Sequence, residues 1–211
     1  MHDKPLGETL GWKLIQSASL FRSRWFNLRQ DTISVRGQRE NTYTYIEHPG
    51  SVFVVPVTAD GQILLIHSYR YTLDAWCWEV PAGTMGDAVG LSPESAAIRE
   101  LREEAGATCR TLTHLGEFYL ANGFANHRTR FFLAWDVRVV SRPDTEPLEQ
   151  IAKVTSFPLT EVERLIREGE IKDGDSAFAL LLAMNYLNTN KSPRFTPQAD
   201  PGQHHIKDNH E

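Results

Sequence analysis

The chain has 211 residues, of which 41% are hydrophobic and 23% are charged, as in ordinary globular proteins. A net charge of −5 argues against nucleic-acid binding, and no apolar run approaches the length needed to span a membrane. Cys77 and Cys109 form neither a disulfide framework nor a zinc pattern, and the N-terminus lacks the apolar core of a signal peptide. We therefore expect a cytoplasmic protein with neither nucleic acid nor membrane as a partner.

The N-terminal part of the sequence predicts a small antiparallel sheet. Residues 1–9 are polar, so we expect them to be frayed and the structure to begin near Trp12. From residue 12 to residue 48, apolar and polar residues alternate in short runs, which is the period of half-buried strands. About forty residues of sheet bury little apolar surface alone, so this unit should pack on the main domain or on a second subunit. We expect a homodimer.

The middle of the chain reads as a series of strands. The tripeptide His48-Pro49-Gly50 precedes a buried strand over residues 51–57. Asp60-Gly61 then predicts a hairpin turn into a strand over residues 62–67. Further strands are predicted over residues 76–81, 115–120, 130–135 and 151–157, with a polar loop over residues 139–150.

Two helices are predicted to end the fold, over residues 159–168 and 176–187. The second is apolar nearly all round, so we expect it to be buried. The remaining residues have no apolar periodicity and predict a disordered tail. The predicted organisation is an N-terminal β-sheet and dimerisation unit (1–48), a main domain (49–190) and a tail (191–211).

The best-defined predicted element is a helix that begins after Ser92. Ser92 can cap it, Pro93 suits the first helical position, and Gly106 supplies a left-handed end. An apolar stripe at helical spacing should face the core, formed by Ala97, Ile98, Leu101 and Ala105.

Three glutamates, Glu100, Glu103 and Glu104, lie together on another face of this helix. Each pair of like charges in contact costs on the order of 4 kcal/mol at an effective dielectric constant near 20. Magnesium or manganese would neutralise them, because hard oxygen ligands suit these ions. The alternative is a solvated acidic face that is balanced by Arg99 and Arg102.

The sequence of this helix resembles a known family. Residues 99–107, Arg-Glu-Leu-Arg-Glu-Glu-Ala-Gly-Ala, match the last nine positions of the Nudix box, which reads Gly, five residues, Glu, seven residues, Arg-Glu-U-x-Glu-Glu-x-Gly-U with U aliphatic. The first half departs from it, because Gly83 lies two residues too far upstream and Leu91 takes the place of the first glutamate. We interpret this as a longer loop, with Leu91 packing on Ala96 as a hydrophobic staple.

Looser features resemble the branch of ADP-ribose pyrophosphatases and nucleoside-diphosphate-sugar hydrolases. The features are the strand-rich N-terminal segment and residues 68–70, 79–83, 158–159 and 168–171. The resemblance covers roughly residues 25–187. It implies an α+β Nudix fold in which mixed β-sheets are sandwiched by helices (α/β/α), with a small N-terminal antiparallel sheet.

The resemblance also assigns metal and catalytic roles. It implies that Mg²⁺, or Mn²⁺ as a substitute, is held by the carbonyl of Ala82 and by Glu100, Glu103 and Glu104. Glu103 is also implied as a catalytic residue. Similar enzymes take a further catalytic glutamate from the loop before a late strand, and Glu149 matches it better than Glu146. The alternative is that these last two are solvated loop charges.

For substrate binding, the resemblance assigns Arg70, Trp25, Tyr43 and Glu79. Arg70 would bind a phosphate, the alternative being a surface ion pair. Trp25 and Tyr43 align with aromatic residues that sandwich the base across a dimer, and stacking on purines suits them. Core packing is the alternative for both. Arg99 is expected to orient the glutamates, and we assign no role to the histidines.

With these residues, the resemblance implies a magnesium-dependent hydrolase that splits ADP-ribose into AMP and ribose 5-phosphate. Where the branch often carries a Ser-Pro-Gly turn, this chain has Ala121-Asn122-Gly123, so pyrophosphate hydrolysis is supported more strongly than a preference for ADP-ribose. One alternative is hydrolysis of another nucleotide sugar such as a GDP-hexose. The other is a non-catalytic nucleotide sensor, which the retention of all three glutamates disfavours.

Overall fold

The computed structural model describes residues 4–88, 90–145 and 148–189. It contains four helices and eleven strands within these residues. In chain order they are α1 (Pro5–Thr9), β1 (Trp12–Arg22), β2 (Asn27–Val35), β3 (Glu40–Glu47), β4 (Ser51–Thr58), β5 (Ile63–Arg70), β6 (Ala75–Glu79), β7 (Ala82–Thr84), α2 (Pro93–Ala105), β8 (Ala107–Thr108), β9 (Thr111–Tyr119), β10 (Arg128–Val139), β11 (Ile151–Phe157), α3 (Leu159–Arg167) and α4 (Gly174–Thr189).

The N-terminal strands form a separate three-stranded antiparallel sheet in the order β1-β2-β3, as predicted. For residues 5–9 the expectation of fraying is wrong, because they form a short helix with Pro5 at its start. Lys4 pairs with the buried Asp31 of β2 at 3.0 Å, which holds this helix onto the sheet. Trp25 lies in the turn between β1 and β2 and not in a strand.

The second sheet is mixed and has eight strands. Its main path runs β11-β5-β4-β10-β8, with β6 added to β5, β7 to β4 and β9 to β10. β4 and β10 pair in parallel at its centre, whereas the other pairs are antiparallel. The predicted hairpin at Asp60-Gly61 is present, with the Thr58 N–H donating to the Gln62 carbonyl at 2.9 Å.

Alternate residues of β4 enter two different cores. Val52 and Val54 pack with residues of α2, whereas Val55 and Val57 pack with residues of α3 and α4. Because side chains alternate across a strand, helices cover both faces of this sheet. The predicted α/β/α arrangement is confirmed.

Helix α2 has the predicted ends. The Ser95 N–H donates to Ser92 Oγ at 3.2 Å, and Gly106 ends the helix with φ of 60°. Of the predicted stripe, Ala97, Leu101 and Ala105 are buried, whereas Ile98 is 48% exposed. The buried face instead extends to Ala96, and the row that begins there continues to Glu100 and Glu104, so these two carboxylates are buried as well.

Two predictions about the packing of helices are wrong. Leu91 is 41% exposed, and Ala88 packs in its place in the core cluster that contains Ala96. Helix α4 is buried on one side only, since Leu181 is 52% exposed. It starts two residues earlier than predicted, because the Asp173 carboxylate accepts a hydrogen bond from the Ser176 N–H at 2.8 Å.

The small sheet is joined to the large one through β3. The Ile46 N–H donates to the Phe124 carbonyl at 2.8 Å, and the Asn126 N–H donates to the Ile46 carbonyl at 3.0 Å. These bonds place the turn that carries Trp25 beside the large sheet. Among the described residues, no helix has the length and apolarity that a membrane crossing requires. The predicted tail, residues 191–211, lies outside the described residues.

Candidate active site

A cavity of about 680 Å³ lies where helix α2, strand β7 and the turn of the small sheet meet. All four residues predicted to hold a metal line it: Ala82, Glu100, Glu103 and Glu104. Arg70, Trp25 and Glu149 line the same cavity. The structure thus brings together seven of the ten residues selected from the sequence.

Strand β7 holds two of the glutamates in place. The Ala82 N–H donates to Glu104 Oε2 at 2.7 Å. A Cβ added to Gly83 would lie 2.2 Å from Glu100 Cδ, so only glycine lets the strand approach this carboxylate so closely. Because β7 pairs with β4 and α2 contacts both strands, the glutamates are fixed to the sheet.

The site carries an excess of buried negative charge. Burial raises the pKa of Glu104 well above its usual range, and the charges of Glu100 and Glu149 raise it further. Burial likewise raises the pKa of Glu100, although Arg99 acts against this. Glu103 is different, since its side chain is 46% exposed. The protein alone therefore does not fully compensate the two buried carboxylates.

Arg99 lies between the carboxylates. Its Nη2 donates to Glu100 Oε1 at 2.5 Å, and its Nε lies 3.6 Å from Glu103 Oε2. Its Nη1 donates to the Asp87 carbonyl at 3.1 Å. This supports the expectation that Arg99 orients the glutamates.

The donor set has the chemistry of a divalent-cation site. Within residues 4–88, 90–145 and 148–189, no three His, Cys, Asp or Glu side chains are arranged as a finished metal cluster. The box glutamates nevertheless supply hard oxygen ligands in a cavity with uncompensated negative charge, which suits Mg²⁺ or Mn²⁺. Closer convergence of the carboxylates would require Arg99 to release at least one of them.

Arg70 and Glu79 form a pair at one wall of the cavity. Arg70 Nε lies 2.8 and 2.9 Å from the two Glu79 oxygens, and its Nη2 donates to Oε2 at 2.5 Å. The Glu79 side chain is only 2% exposed and does not line the cavity, whereas that of Arg70 is 48% exposed and does. Direct substrate binding by Glu79 is therefore not supported. Its carboxylate positions Arg70 instead.

The two predicted aromatic residues lie apart within one chain. Trp25 lines the active-site cavity with the Arg24 guanidinium 4.0 Å from its ring centre. Tyr43 lines another cavity, and its hydroxyl donates to the Gly123 carbonyl at 3.3 Å. A sandwich of one base between both residues is not formed within a single chain.

Of the two loop glutamates, the structure places Glu149 at the cavity, while Glu146 lies outside the described residues. The loop that carries Glu149 is tied to α2, because the Asp144 N–H donates to the Glu103 carbonyl at 2.8 Å. Thr145 Oγ1 donates to the Glu149 carbonyl at 2.8 Å. Asp144 is therefore held against α2, and Thr145 is joined to Glu149.

Sequence reasoning missed two histidines that line the cavity. The rings of His48 and His127 lie 3.9 Å apart, at an angle of 42°. They are distant in sequence, and no motif connects them. The parallel pairing of Ser51 with Thr129 brings them together, because each histidine precedes the start of one of these strands. A prediction that β4 and β10 pair in parallel would have revealed that these two histidines are neighbours.

A larger cavity of about 940 Å³ is lined mainly by the small sheet and α1. Its surface is largely apolar, and Glu8 is the only acidic residue among its lining residues in the described chain. It lacks the converging carboxylates that the smaller cavity has. We therefore take the cavity at α2 as the candidate active site.

Comparison with known proteins identifies related sequences and folds. Residues 47–178 match the model of the NUDIX domain. The chain is 33% identical over 178 residues to an ADP-ribose pyrophosphatase of Mycobacterium tuberculosis, covering 84% of this chain and 85% of the relative. It is 28% identical to an ADP-ribose pyrophosphatase of Bacillus subtilis, covering 82% and 92%. The crystal structure of an ADP compounds hydrolase has the same fold, with a TM-score of 0.73 at 22% identity over 85% of this chain and 95% of that one.

Proposed function

This chain belongs to the Nudix family, and we propose that it hydrolyses the pyrophosphate bond of a nucleoside diphosphate linked to a second moiety. ADP-ribose is the substrate we expect, with AMP and ribose 5-phosphate as products. Two relatives named ADP-ribose pyrophosphatase, which align over 84% and 82% of the chain, support this substrate. In the reaction, water adds to one phosphorus, and the bridging oxygen leaves with the other phosphate.

The observation that carries this proposal is the composition of one cavity. Glu100, Glu103 and Glu104 line it together with Arg70, and Trp25 lines the same cavity. Carboxylates for a cation, a guanidinium for phosphate and an indole for a base are the groups that a nucleoside diphosphate needs. A solvated acidic face would not bury two of its carboxylates, as Glu100 and Glu104 are buried here.

We propose Mg²⁺ as the cofactor, with Mn²⁺ as a substitute. Ala82, through its carbonyl, and Glu100, Glu103 and Glu104 would hold it. When bound, the cation supplies charge neutralisation at the diphosphate and lowers the pKa of bound water. The raised pKa values of the buried Glu100 and Glu104 support a cation in this place, because their charged forms lack full compensation.

The chain's own residues have separate roles in this proposal. Arg70 binds a phosphate oxygen while Glu79 fixes the guanidinium. Glu103 and Glu149 are the candidates to take a proton from the attacking water, because both line the cavity and Glu103 is the most exposed box glutamate. Glu146 remains a second loop candidate. Trp25 stacks on the base, and Tyr43 of a second subunit would complete the sandwich.

We further propose a homodimer that acts in the cytoplasm on a small nucleotide and binds neither nucleic acid nor membrane. Apolar side chains exposed on the small sheet support association, including Ile15, Leu20 and Phe21. Both cysteines are free, as is usual in a reducing compartment. The net charge of −5 opposes contact with nucleic acid.

The test is hydrolysis of a substrate panel with Mg²⁺. ADP-ribose, ADP-glucose, GDP-mannose and ATP are incubated with the protein, and the products are identified by chromatography. We expect AMP and ribose 5-phosphate from ADP-ribose at the highest kcat/KM. Preferential cleavage of GDP-mannose would change the substrate to another nucleotide sugar. Binding of ADP-ribose without cleavage would point to a sensor.

Matched variants connect the activity to the cavity. Glu103→Gln and Glu104→Gln should each lower kcat by about 100-fold or more while the protein stays folded. Glu163→Gln is the control, because this exposed residue of α3 does not line the cavity. Full activity in both cavity variants would remove these glutamates from the mechanism.

A further inference from the structure

His48 lies where the active-site cavity meets a second cavity of about 620 Å³. The two cavities share Arg24, Trp25 and His48 as lining residues. A substrate whose diphosphate lies at the glutamates and whose base lies at Trp25 would therefore occupy a cavity that His48 lines. No motif in the sequence assigns a role to this residue.

The hydrogen bonds of His48 determine which ring nitrogen carries its proton. The Gly50 N–H donates to His48 Nδ1 at 3.0 Å, so Nδ1 acts as the acceptor. A neutral imidazole with an accepting Nδ1 carries its hydrogen on Nε2. Among the residues that the structure describes, none pairs with His48 Nε2. An N–H donor is thus left without a protein partner.

The neighbours of His48 keep the ring neutral and in place. Burial, with His127 beside it, lowers the pKa of His48 to about 4. The His127 ring packs against it at a tilt of 42° and is held by Ser51, whose Oγ lies 2.8 Å from His127 Nε2. The His48 backbone N–H donates to Asn126 Oδ1 at 2.9 Å. The His48 ring, and with it the Nε2–H donor, is therefore held in place by contacts on several sides.

We propose that His48 is a specificity-determining residue whose Nε2–H donates to a hydroxyl oxygen of the nucleoside ribose. In any nucleoside diphosphate the ribose lies between base and phosphates. His48 lines the same cavity as Trp25 and the glutamates, which are the predicted sites for base and phosphates. This inference rests on the proposed function, because it concerns the substrate of the same cavity.

Two substitutions separate this role from a structural one. His48→Asn keeps an acceptor near the position of Nδ1 for the Gly50 N–H but removes the group at Nε2. His48→Gln keeps a polar group near the position of Nε2 but removes the acceptor at Nδ1. We expect His48→Asn to raise KM for ADP-ribose by about three- to tenfold at nearly unchanged kcat, and His48→Gln to keep KM closer to that of the unaltered protein. His114→Asn is the control, since His114 lies on β9 away from both cavities.

Analogues of ADP-ribose that lack the 2′- or 3′-hydroxyl of the adenosine ribose test the contact itself. The unaltered protein should lose about three- to tenfold in kcat/KM on one analogue, and His48→Asn should lose nothing further on it. This measurement on the unaltered protein remains informative even if a variant misfolds. Thermal unfolding of each variant shows whether it is folded.

The outcomes are distinguishable. If the unaltered protein does not cleave ADP-ribose, the proposed function fails. If it cleaves ADP-ribose but both analogues are equally good substrates, or His48→Asn has an unchanged KM, the inference fails alone. An unchanged His48→Asn with an unstable His48→Gln would show that His48 only holds the Gly50 turn.

Discussion

Arg70 and Glu79 illustrate how one buried charge depends on a single partner. Burial raises the pKa of the Glu79 carboxyl, while the hydrogen bond and charge of Arg70 lower it. The same contact raises the pKa of Arg70. The pair thus combines a buried anchor with a half-exposed guanidinium that faces the cavity. The contribution of this pair to the free energy of unfolding should therefore depend on pH in a predictable direction.

Replacing Arg70 by Met should destabilise the protein most at high pH. Without Arg70, the pKa of Glu79 in the folded state rises further above its value in the unfolded state. A carboxyl with such a raised pKa destabilises the folded state when the pH is above the folded-state pKa. This cost becomes smaller as the pH falls towards the unfolded-state pKa. We expect a loss of about 2–3 kcal/mol near pH 8, discounted because Arg70 is 48% exposed, and a smaller loss near pH 4.5. Urea unfolding at both pH values measures it.

The double variant Arg70→Met/Glu79→Gln is the control for this prediction. It lacks the titrating carboxyl, so the pH dependence that Arg70→Met adds should vanish in it. An equal loss at both pH values in the single variant would mean that Glu79 does not carry the effect.

Among individual residues, the sequence predicted the charged residues of the site better than its histidines. Glu100, Glu103 and Glu104 were found because helical spacing alone places them on one face. Glu79 was predicted to bind substrate, whereas its carboxylate is bonded to Arg70 through an arrangement that depends on the pairing of β5 with β6. His48 and His127 meet only through a long-range parallel strand pair, which local patterns do not reveal.

Among the elements, helix α2 ends at Gly106, and this glycine also joins the helix to the neighbouring strand. Gly106 has φ of 60°, and its carbonyl accepts hydrogen bonds from the N–H groups of Val140 and Ser141 at 2.8 and 3.0 Å. The helix end is therefore joined to the end of β10. A Cβ added to Gly106 would lie 2.2 Å from the Ser141 carbonyl oxygen, which is backbone and cannot rotate away.

Replacing Gly106 by Ala should therefore cost more than left-handed backbone strain alone. Gly61→Ala is the matched control, because Gly61 also has a positive φ of 81° but nothing within 4 Å of its added Cβ. We expect a loss of about 1 kcal/mol for Gly61→Ala and at least twice that, roughly 2–4 kcal/mol, for Gly106→Ala. Chemical denaturation of both variants gives the comparison. Equal losses would rule out the clash with Ser141.

Elements with strong local signals were predicted well. Ser92, Pro93 and Gly106 define α2 within the sequence, and Asp60-Gly61 defines the hairpin. Helix α1 was missed because it has only five residues and is held by the distant Asp31. The exposed side of α4 was missed because apolar composition does not say how many faces of a helix are covered.

In the whole molecule, the active-site cavity lies between two sheets. The turn between β1 and β2 supplies Trp25, whereas β7 and α2 supply the residues proposed to bind the metal. Arg24 also reaches Asp87 of the loop before α2 at 3.6 Å. The fold class and the α/β/α layers followed from the resemblance and from strand periodicity. Packing of the small sheet on the main domain was one of the two expected arrangements, but the place of contact was not predicted, because backbone bonds between β3 and the 121–126 turn create it.

We expect the protein to form a homodimer through the small sheet, with a mass near twice 23.9 kDa in light scattering. Ile15 is 46% exposed on β1, and Ile15→Asp should shift the population to the monomer because a charge in an apolar interface is costly. Leu181→Asp is the control, since Leu181 is similarly exposed but lies on α4. A monomeric unaltered protein at micromolar concentration would refute the dimer.

The placement of the cavity between two sheets also affects how the enzyme can be inhibited. A compound that imitates a diphosphate must carry several negative charges, which hinder its entry into cells. The end of the cavity formed by Trp25 and His48 presents two aromatic rings, with the Arg24 guanidinium over Trp25 and a low pKa that keeps His48 neutral. A neutral, flat compound bound there would keep the nucleotide out without contacting Glu100, Glu103 or Glu104, and it would retain the permeability that a phosphate mimic lacks.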